Sequence, residues 1–158
     1  MLFRSVKGGK VEVYDTKGAS VGRALTVMEA ARMAKEGQEM DAVLAKVKDM
    51  SARMEHIFVV DNLEMLKKGG RISATQAFLG GMLNVKPVLE LQEGKIVPLD
   101  KVRGWKKALA KLINVMEERG QNLEEQVIGI SHANYEEMAN QLAELLKEKF
   151  GVKEIFIS

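Results

Sequence analysis

A chain of 158 residues with 46% apolar side chains can bury a real core and makes one ordinary domain, or one domain plus a piece of another. Its net charge of +2, with acids and bases interspersed, does not make a nucleic-acid footprint. The absence of cysteine excludes disulfides, thiolate catalysis and Cys-type zinc sites.

The first ten residues read as irregular, with a turn at Lys7-Gly8-Gly9-Lys10. Val11-Glu12-Val13-Tyr14 alternates like a short strand that has nothing local to pair with. Ser20 is placed to cap a helix carrying Leu25, Met28, Ala31 and Ala34, and Gly37 stops it. A second helix is expected from about Met40 to Met54. Val43, Leu44, Val47, Met50 and Met54 form its apolar stripe, and both helices are expected to face a core.

His56 to Val60 reads as a strand buried on both faces. Asp61 or Asn62 then caps a short helix, Leu63 to Lys68, and Ser73 caps another, Thr75 to about Leu83. Pro87 to Leu91 and Lys95 to Val102 read as a hairpin around Glu93-Gly94, with Pro98 marking an edge or a bulge. A long helix from Trp105 to Glu118 presents Leu109, Leu112, Ile113 and Met116. The chain ends as a strand (Gln126–Ser131), a helix (His132–Lys149, with Met138, Leu142, Leu145 and Leu146 inward) and a strand (Glu154–Ile157). This order predicts an α/β fold, with helices layered on a mixed β-sheet. Ten methionines and 5% aromatics predict a soft, adaptable core. No apolar run reaches the roughly 18 residues of a membrane span, and no signal-peptide pattern opens the chain. The cytoplasm is the expected location.

The chemistry concentrates between Asp61 and Arg103. Gly69-Gly70 reads first as a helix stop, and it can also take φ > 0 and turn backbone N–H groups outward as an anion loop. Arg71 and Arg103 add forked guanidinium groups suited to carboxylate or phosphate. Lys67, Lys68, Lys101, Lys106 and Lys107 would extend a basic rim if they cluster. No catalytic company is evident beyond Asp61, Glu64 or His132, a Walker motif is absent, and no His and carboxylate set has metal-ligand spacing. His56 reads as structural. His132, at a strand end, is a weak functional candidate.

The same stretch resembles the DegV family of bacterial fatty-acid-binding proteins. The family pattern runs from an apolar strand through Asp-x-Leu-x-x-Leu-x-x-Gly-Gly-Arg-Ile to Leu-x-x-Lys-Pro and then Val-Arg-Gly-x-x-Lys-Ala. Here these stand in order as Val60-Asp61, Leu63, Leu66, Gly69-Gly70-Arg71-Ile72-Ser73, Leu83-Asn84-Val85-Lys86-Pro87, Gly94, Val102-Arg103-Gly104 and Lys106-Lys107-Ala108. Val13-Tyr14-Asp15-Thr16-Lys17 and Ser20-Val21-Gly22 also resemble the segment before the family's central helices.

The resemblance implies a fragment of a two-lobed protein nearly twice as long. Residues 1–22 would end the first lobe, 23–55 connect, and 56–158 form a second lobe incomplete at its end. A His-Cys-Gly-Pro-Gly-Thr segment would follow Ser158. It implies a carrier rather than an enzyme. Such a carrier holds one long-chain fatty acid, needs no cofactor, and presents the acyl chain to a fatty acid kinase that makes acyl phosphate for phospholipid synthesis. Arg71 and Arg103 then become the basic rim for the kinase or the head group. Phe58, Leu63, Leu66, Ile72, Phe78, Leu79, Met82, Leu83 and Leu89 are the candidate tail wall. Two other readings stay open from the residues themselves. One is an enzyme or binder of a small phosphorylated metabolite, gripping it with Gly69-Gly70-Arg71. The other is an interaction module without ligand, which self-associates through bare apolar surface.

Overall fold

The computed structural model describes residues 9–71 and 84–158. Residues 9–19 have no regular secondary structure, so the expected strand at Val11–Tyr14 does not form. No strand pairs with it among the described residues, and Val11, Val13 and Tyr14 stay exposed. Local side chains shape the segment instead. Asp15 Oδ1 accepts from the Lys17 N–H at 2.9 Å, and Thr16 Oγ1 accepts from the Gly18 N–H at 3.2 Å.

Helix α1 spans Ser20–Lys35 and α2 spans Met40–Arg53. Ser20 does not cap α1: it sits inside the helix start at φ 47°, and its hydroxyl donates to Ser131 Oγ at 3.1 Å. Gly37, at φ 78°, ends the first helix as expected. The core-facing prediction holds for only one end of the pair. Gly22, Leu25 and Thr26 are buried where α1 meets the rest of the chain, while Met28 is exposed and α2 has no fully buried residue. The physical reason is that α2 packs chiefly against α1, so its apolar stripe is covered from one side.

Strands β1 (Ile57–Val59), β2 (Val85–Gln92) and β3 (Lys95–Arg103) make an antiparallel sheet in the order β1-β2-β3. Strand β1 is an edge, and all three of its residues are half-buried, which corrects the expectation of burial on both faces. Burial belongs to central β2, at Pro87, Val88, Leu89 and Glu90. Glu93 (φ 50°) and Gly94 (φ 76°) form the tight turn; two positive φ values match the twist of the paired strands. Pro98 lies on edge strand β3, where its missing N–H costs no ladder bond. The register passes from Val88↔Asp100 to Leu89↔Pro98, so Leu99 is the extra residue of a bulge.

Helix α3 (Glu64–Lys68) lies between β1 and β2 in sequence, and α4 (Trp105–Arg119) follows β3. Strands β4 (Val127–Ile130) and β5 (Glu154–Ile157) pair in parallel, and α5 (Glu136–Phe150) supplies the crossover that parallel pairing needs. Helix α5 starts four residues later than expected. His132 Nδ1 accepts from the Tyr135 N–H at 3.1 Å, and Asn134 takes φ 53°, so the chain turns before it coils. Leu145, expected inward, is exposed; Ala139, Ala143 and Leu146 form the buried face.

The α/β class is as expected, but the parallel and antiparallel strands stand in two sheets among the described residues. A buried cluster holds Ile113, Ile130, Ala139, Ala143, Leu146 and Val152. Helix α4 joins both sheets: Ile113 enters that cluster, while the helix also contacts β1, β2 and β3.

Candidate functional site

The site begins at the end of β1. Asn62 Oδ1 accepts from the Glu64 N–H at 2.9 Å and sets the start of α3, and Leu63 is buried beneath it. The helix closes on the glycine pair. The Gly70 N–H donates to the Lys67 carbonyl at 3.0 Å, and the Arg71 N–H reaches back to Leu66 at 2.8 Å, with Gly70 at φ 71°. These are the two bonds of a Schellman motif. The Gly69 N–H is also used, donating to Met65 at 2.9 Å. The backbone donors expected to face an anion are therefore spent on helix carbonyls. Gly69 and Gly70 stop a helix, and the side chain of Arg71 is what remains to face outward.

Arg71 is exposed, and its guanidinium donates to the Gly69 carbonyl of its own loop. Arg103 is exposed at the end of β3, opposite Val85. Its place is fixed by a clasp: the Gly104 N–H donates to the Asn84 carbonyl at 3.0 Å, with Gly104 at φ 79° and Asn84 at φ 62°. Neither arginine has an ion-pair partner among the described residues.

Sequence reasoning missed a third cation. Lys86 reaches Asp61 Oδ1 at 2.5 Å, and its ammonium lies 5.2 Å from the Trp105 ring centre, with its side chain only 13% exposed. The Trp105 ring meets Tyr135 edge-on, with centroids 5.0 Å apart. Asp61, considered at first for its capping chemistry, instead anchors a lysine across the β1–β2 edge. The available signal was a lysine at the start of a strand otherwise rich in apolar residues. Nearby, Asp100 pairs with Lys111 at 3.1 Å. Burial pushes the Asp100 carboxyl up, but the Lys101 N–H and the Lys111 ammonium outweigh it and hold it below the usual carboxylate range.

Of the candidate tail wall, Phe58 and Leu89 are direct cross-strand partners. Leu89 is fully buried and Leu63 nearly so, while Phe58 and Leu66 are half-buried. Leu63 and Leu89 are thus packed core residues in this form of the chain. Ile72, Phe78, Leu79, Met82 and Leu83, with the predicted helix from Thr75 to Leu83 and its Ser73 cap, lie outside the described residues. Two shallow surface hollows, one on α5 around Leu145 and one between the end of α4 and Phe150, include none of the candidate residues. His132 serves the turn before α5, its N–H donating to the Ser158 carbonyl at 3.0 Å. No helix among the described residues is long and apolar enough to cross a membrane.

An antiparallel hairpin sheet and a separate parallel pair, bridged by one helix, define an α/β module on which Arg71 and Arg103 stand exposed, with no ion-pair partner among the described residues. Its family follows from comparison with known proteins. The family model described as "Uncharacterised protein, DegV family" matches residues 1–158, and the chain belongs to the DegV family. A DegV domain-containing protein of Clostridium perfringens is 39% identical over 157 residues, covering 99% of this chain and 54% of that protein. The crystal structure of a DegV family protein from Ruminococcus gnavus with vaccenic acid superposes with a TM-score of 0.85 at 33% identity. It covers 96% of this chain and 55% of the other. The Fatty Acid Kinase (Fak) B3 protein of Streptococcus pneumoniae, loaded with linoleic acid, gives a TM-score of 0.84 at 25% identity, covering 94% of this chain and 52% of that one. The chain spans about half the length of the relatives it matches.

Proposed function

We propose that this chain is the tail-facing half of a cytoplasmic fatty-acid carrier, which presents a bound long-chain acyl group to a fatty acid kinase. In this reading, residues 1–22 end one lobe, 23–55 connect, and 56–158 form the second lobe. The observation that carries it is the exposure of Arg71 and Arg103 without an acidic partner among the described residues. An exposed guanidinium with no acidic partner keeps donors available to a phosphorylated head group or to acids on a partner surface. Phe58, Leu63, Leu66 and Leu89 then back the acyl tail, together with Ile72, Phe78, Leu79, Met82 and Leu83. The likeness to relatives that hold vaccenic and linoleic acid supports the ligand class. The carrier itself supplies no reacting group; the kinase does the chemistry.

The test uses the full-length parent protein. Native mass spectrometry is expected to find a co-purified fatty acid, and added oleate is expected to raise Tm. Saturation at a hundred times Kd corresponds to about 2.7 kcal/mol of stabilisation. The double substitution Arg71→Glu, Arg103→Glu should leave that shift intact and cut kinase-dependent acyl phosphate formation on the order of 10- to 100-fold, the scale of lost charge pairs at an interface. The reading fails if no fatty acid is found and oleate leaves Tm unmoved. The isolated 158-residue chain is expected to bind oleate more weakly than the parent, and equal affinity in calorimetry contradicts the assignment of a half-site.

A second reading, self-association of this chain, is favoured by exposed apolar side chains at Val11, Val13, Tyr14, Val27, Met28 and Met40. Size-exclusion chromatography with light scattering separates a monomer from a dimer directly.

A further inference from the structure

We propose that His56 is an acid-sensitive latch that holds the start of α1 against the antiparallel sheet. The residue is fixed on the sheet side by its backbone: its carbonyl accepts from the Leu91 N–H at 3.0 Å, just ahead of β1. Its ring reaches the other way. Nε2 accepts from the Ala19 N–H at 3.3 Å, at the residue that precedes α1. An acceptor nitrogen carries no proton, so the neutral ring in this arrangement bears its proton on Nδ1.

The ring sits in a slot made by two glycines. A Cβ on Gly22 would lie 2.4 Å from Nε2 and 2.9 Å from Cδ2, and a Cβ on Gly18 would lie 3.2 Å from Nε2. At Gly22 a side chain would have to displace the imidazole, and at Gly18 the fit is already tight. Such a slot gives the ring little freedom to turn when its chemistry changes.

Protonation of Nε2 would set an N–H against the Ala19 N–H, donor to donor. It would also place positive charge at the N-terminal end of a 16-residue helix, where the backbone dipole disfavours it. Burial pushes the His56 pKa below its ordinary value, with the Met54 carbonyl and Glu55 acting in the opposite direction. The surrounding charges are largely committed elsewhere. Arg119 of α4 engages both Glu55 and Glu90 of β2. On α1, Arg23 donates to the Gly18 carbonyl at 2.6 Å, and in the segment before it Lys17 is paired with Glu93.

The sign follows from linkage. The released ring, with an ordinary pKa near 6.5, takes up a proton before the latched ring does. The latch is therefore fully closed above about pH 6.5, and loosens as pH falls from there toward the lowered pKa of the latched ring. While one proton is gained on release, the opening equilibrium rises about tenfold per pH unit.

Hydrogen exchange of the 158-residue chain at pH 7.5, 6.5 and 5.5, corrected for intrinsic exchange rates, reads this directly. Amides 19–26 are expected to lose protection with that slope below pH 6.5, while amides 139–150 of α5 stay unchanged. In His56→Gln the side-chain oxygen can still accept from Ala19 but takes no proton, so the slope should vanish. A flat profile for amides 19–26 in the unsubstituted chain overturns the latch. So does an equal slope in His56→Gln, or a parallel loss of protection in α5.

Discussion

Replacing Arg119 by alanine is expected to lower the unfolding free energy by about 3 kcal/mol, read as a drop in the urea midpoint at unchanged m-value. Glu90 is the reason. It lies on central strand β2, and only 8% of its side chain is exposed. Its carboxylate accepts from Arg119 Nη1 at 2.6 Å and from Gln92 Nε2 at 2.7 Å. Removing the guanidinium leaves a buried anion with one neutral donor, and a buried charge without its partner is far more costly than a pair that never formed. The estimate sits at the low end of the range for broken buried pairs because about a third of the Arg119 side chain faces water. For a chain of this size the Tm should fall by roughly 10 °C. Glu55 shares the same Nη1 at 3.0 Å but is exposed, so Glu55→Ala should cost no more than about 0.5 kcal/mol. The double variant Glu90→Leu, Arg119→Met removes both charges and is expected to be less destabilised than Arg119→Ala alone. Equal costs for Arg119→Ala and Glu55→Ala would show that the buried carboxylate does not govern this junction.

That junction was not legible in the sequence. Glu90 falls between Leu89 and Leu91 in an apolar run, and nothing local announces that an arginine 29 positions later supplies its charge. Patterns within one element fared better. The glycine stops, the Glu93-Gly94 turn and the edge position of Pro98 are decided by the φ values and missing donors of single residues, and each stands where expected. The expectations that failed were those needing knowledge of neighbours. Val11–Tyr14 has strand alternation but no partner strand among the described residues. The run Ile57-Phe58-Val59-Val60 looks doubly buried, yet it lies at a sheet edge. In the site, the residue types of Asp61, Gly69, Gly70, Arg71 and Arg103 were recognisable, but the use of each backbone N–H was not. Spacing alone cannot separate a Schellman stop from an anion loop, because both require a glycine at positive φ. The Lys86–Asp61–Trp105 contact joins three segments and could be found only in three dimensions.

Gly129→Val should detach α1 from β4 at a cost of about 3 kcal/mol, the upper part of the range for overpacking. A Cβ at this strand position would lie 2.7 Å from Val21 Cγ2, 3.0 Å from Val21 Cγ1 and 3.2 Å from Leu25 Cδ1. Glycine in a strand interior normally weakens it, and its presence in β4 is explained by the close approach of the helix. Valine itself favours strands, so the β4–β5 pairing and the cluster around Ile113, Ala143 and Leu146 should survive. The damage should be confined to α1, since Val21 and Leu25 are the residues that the added side chain would meet. Hydrogen exchange is expected to rise across residues 21–35 and to stay protected in α5. The cause can be isolated by size exchange: Val21→Ala empties the volume that the new side chain needs. In the double variant Gly129→Ala, Val21→Ala, protection of α1 should return close to its original level, while Gly129→Ala alone remains loosened. If Val21→Ala brings no recovery, the glycine is required for the conformation of β4 itself, and the contact with α1 is incidental.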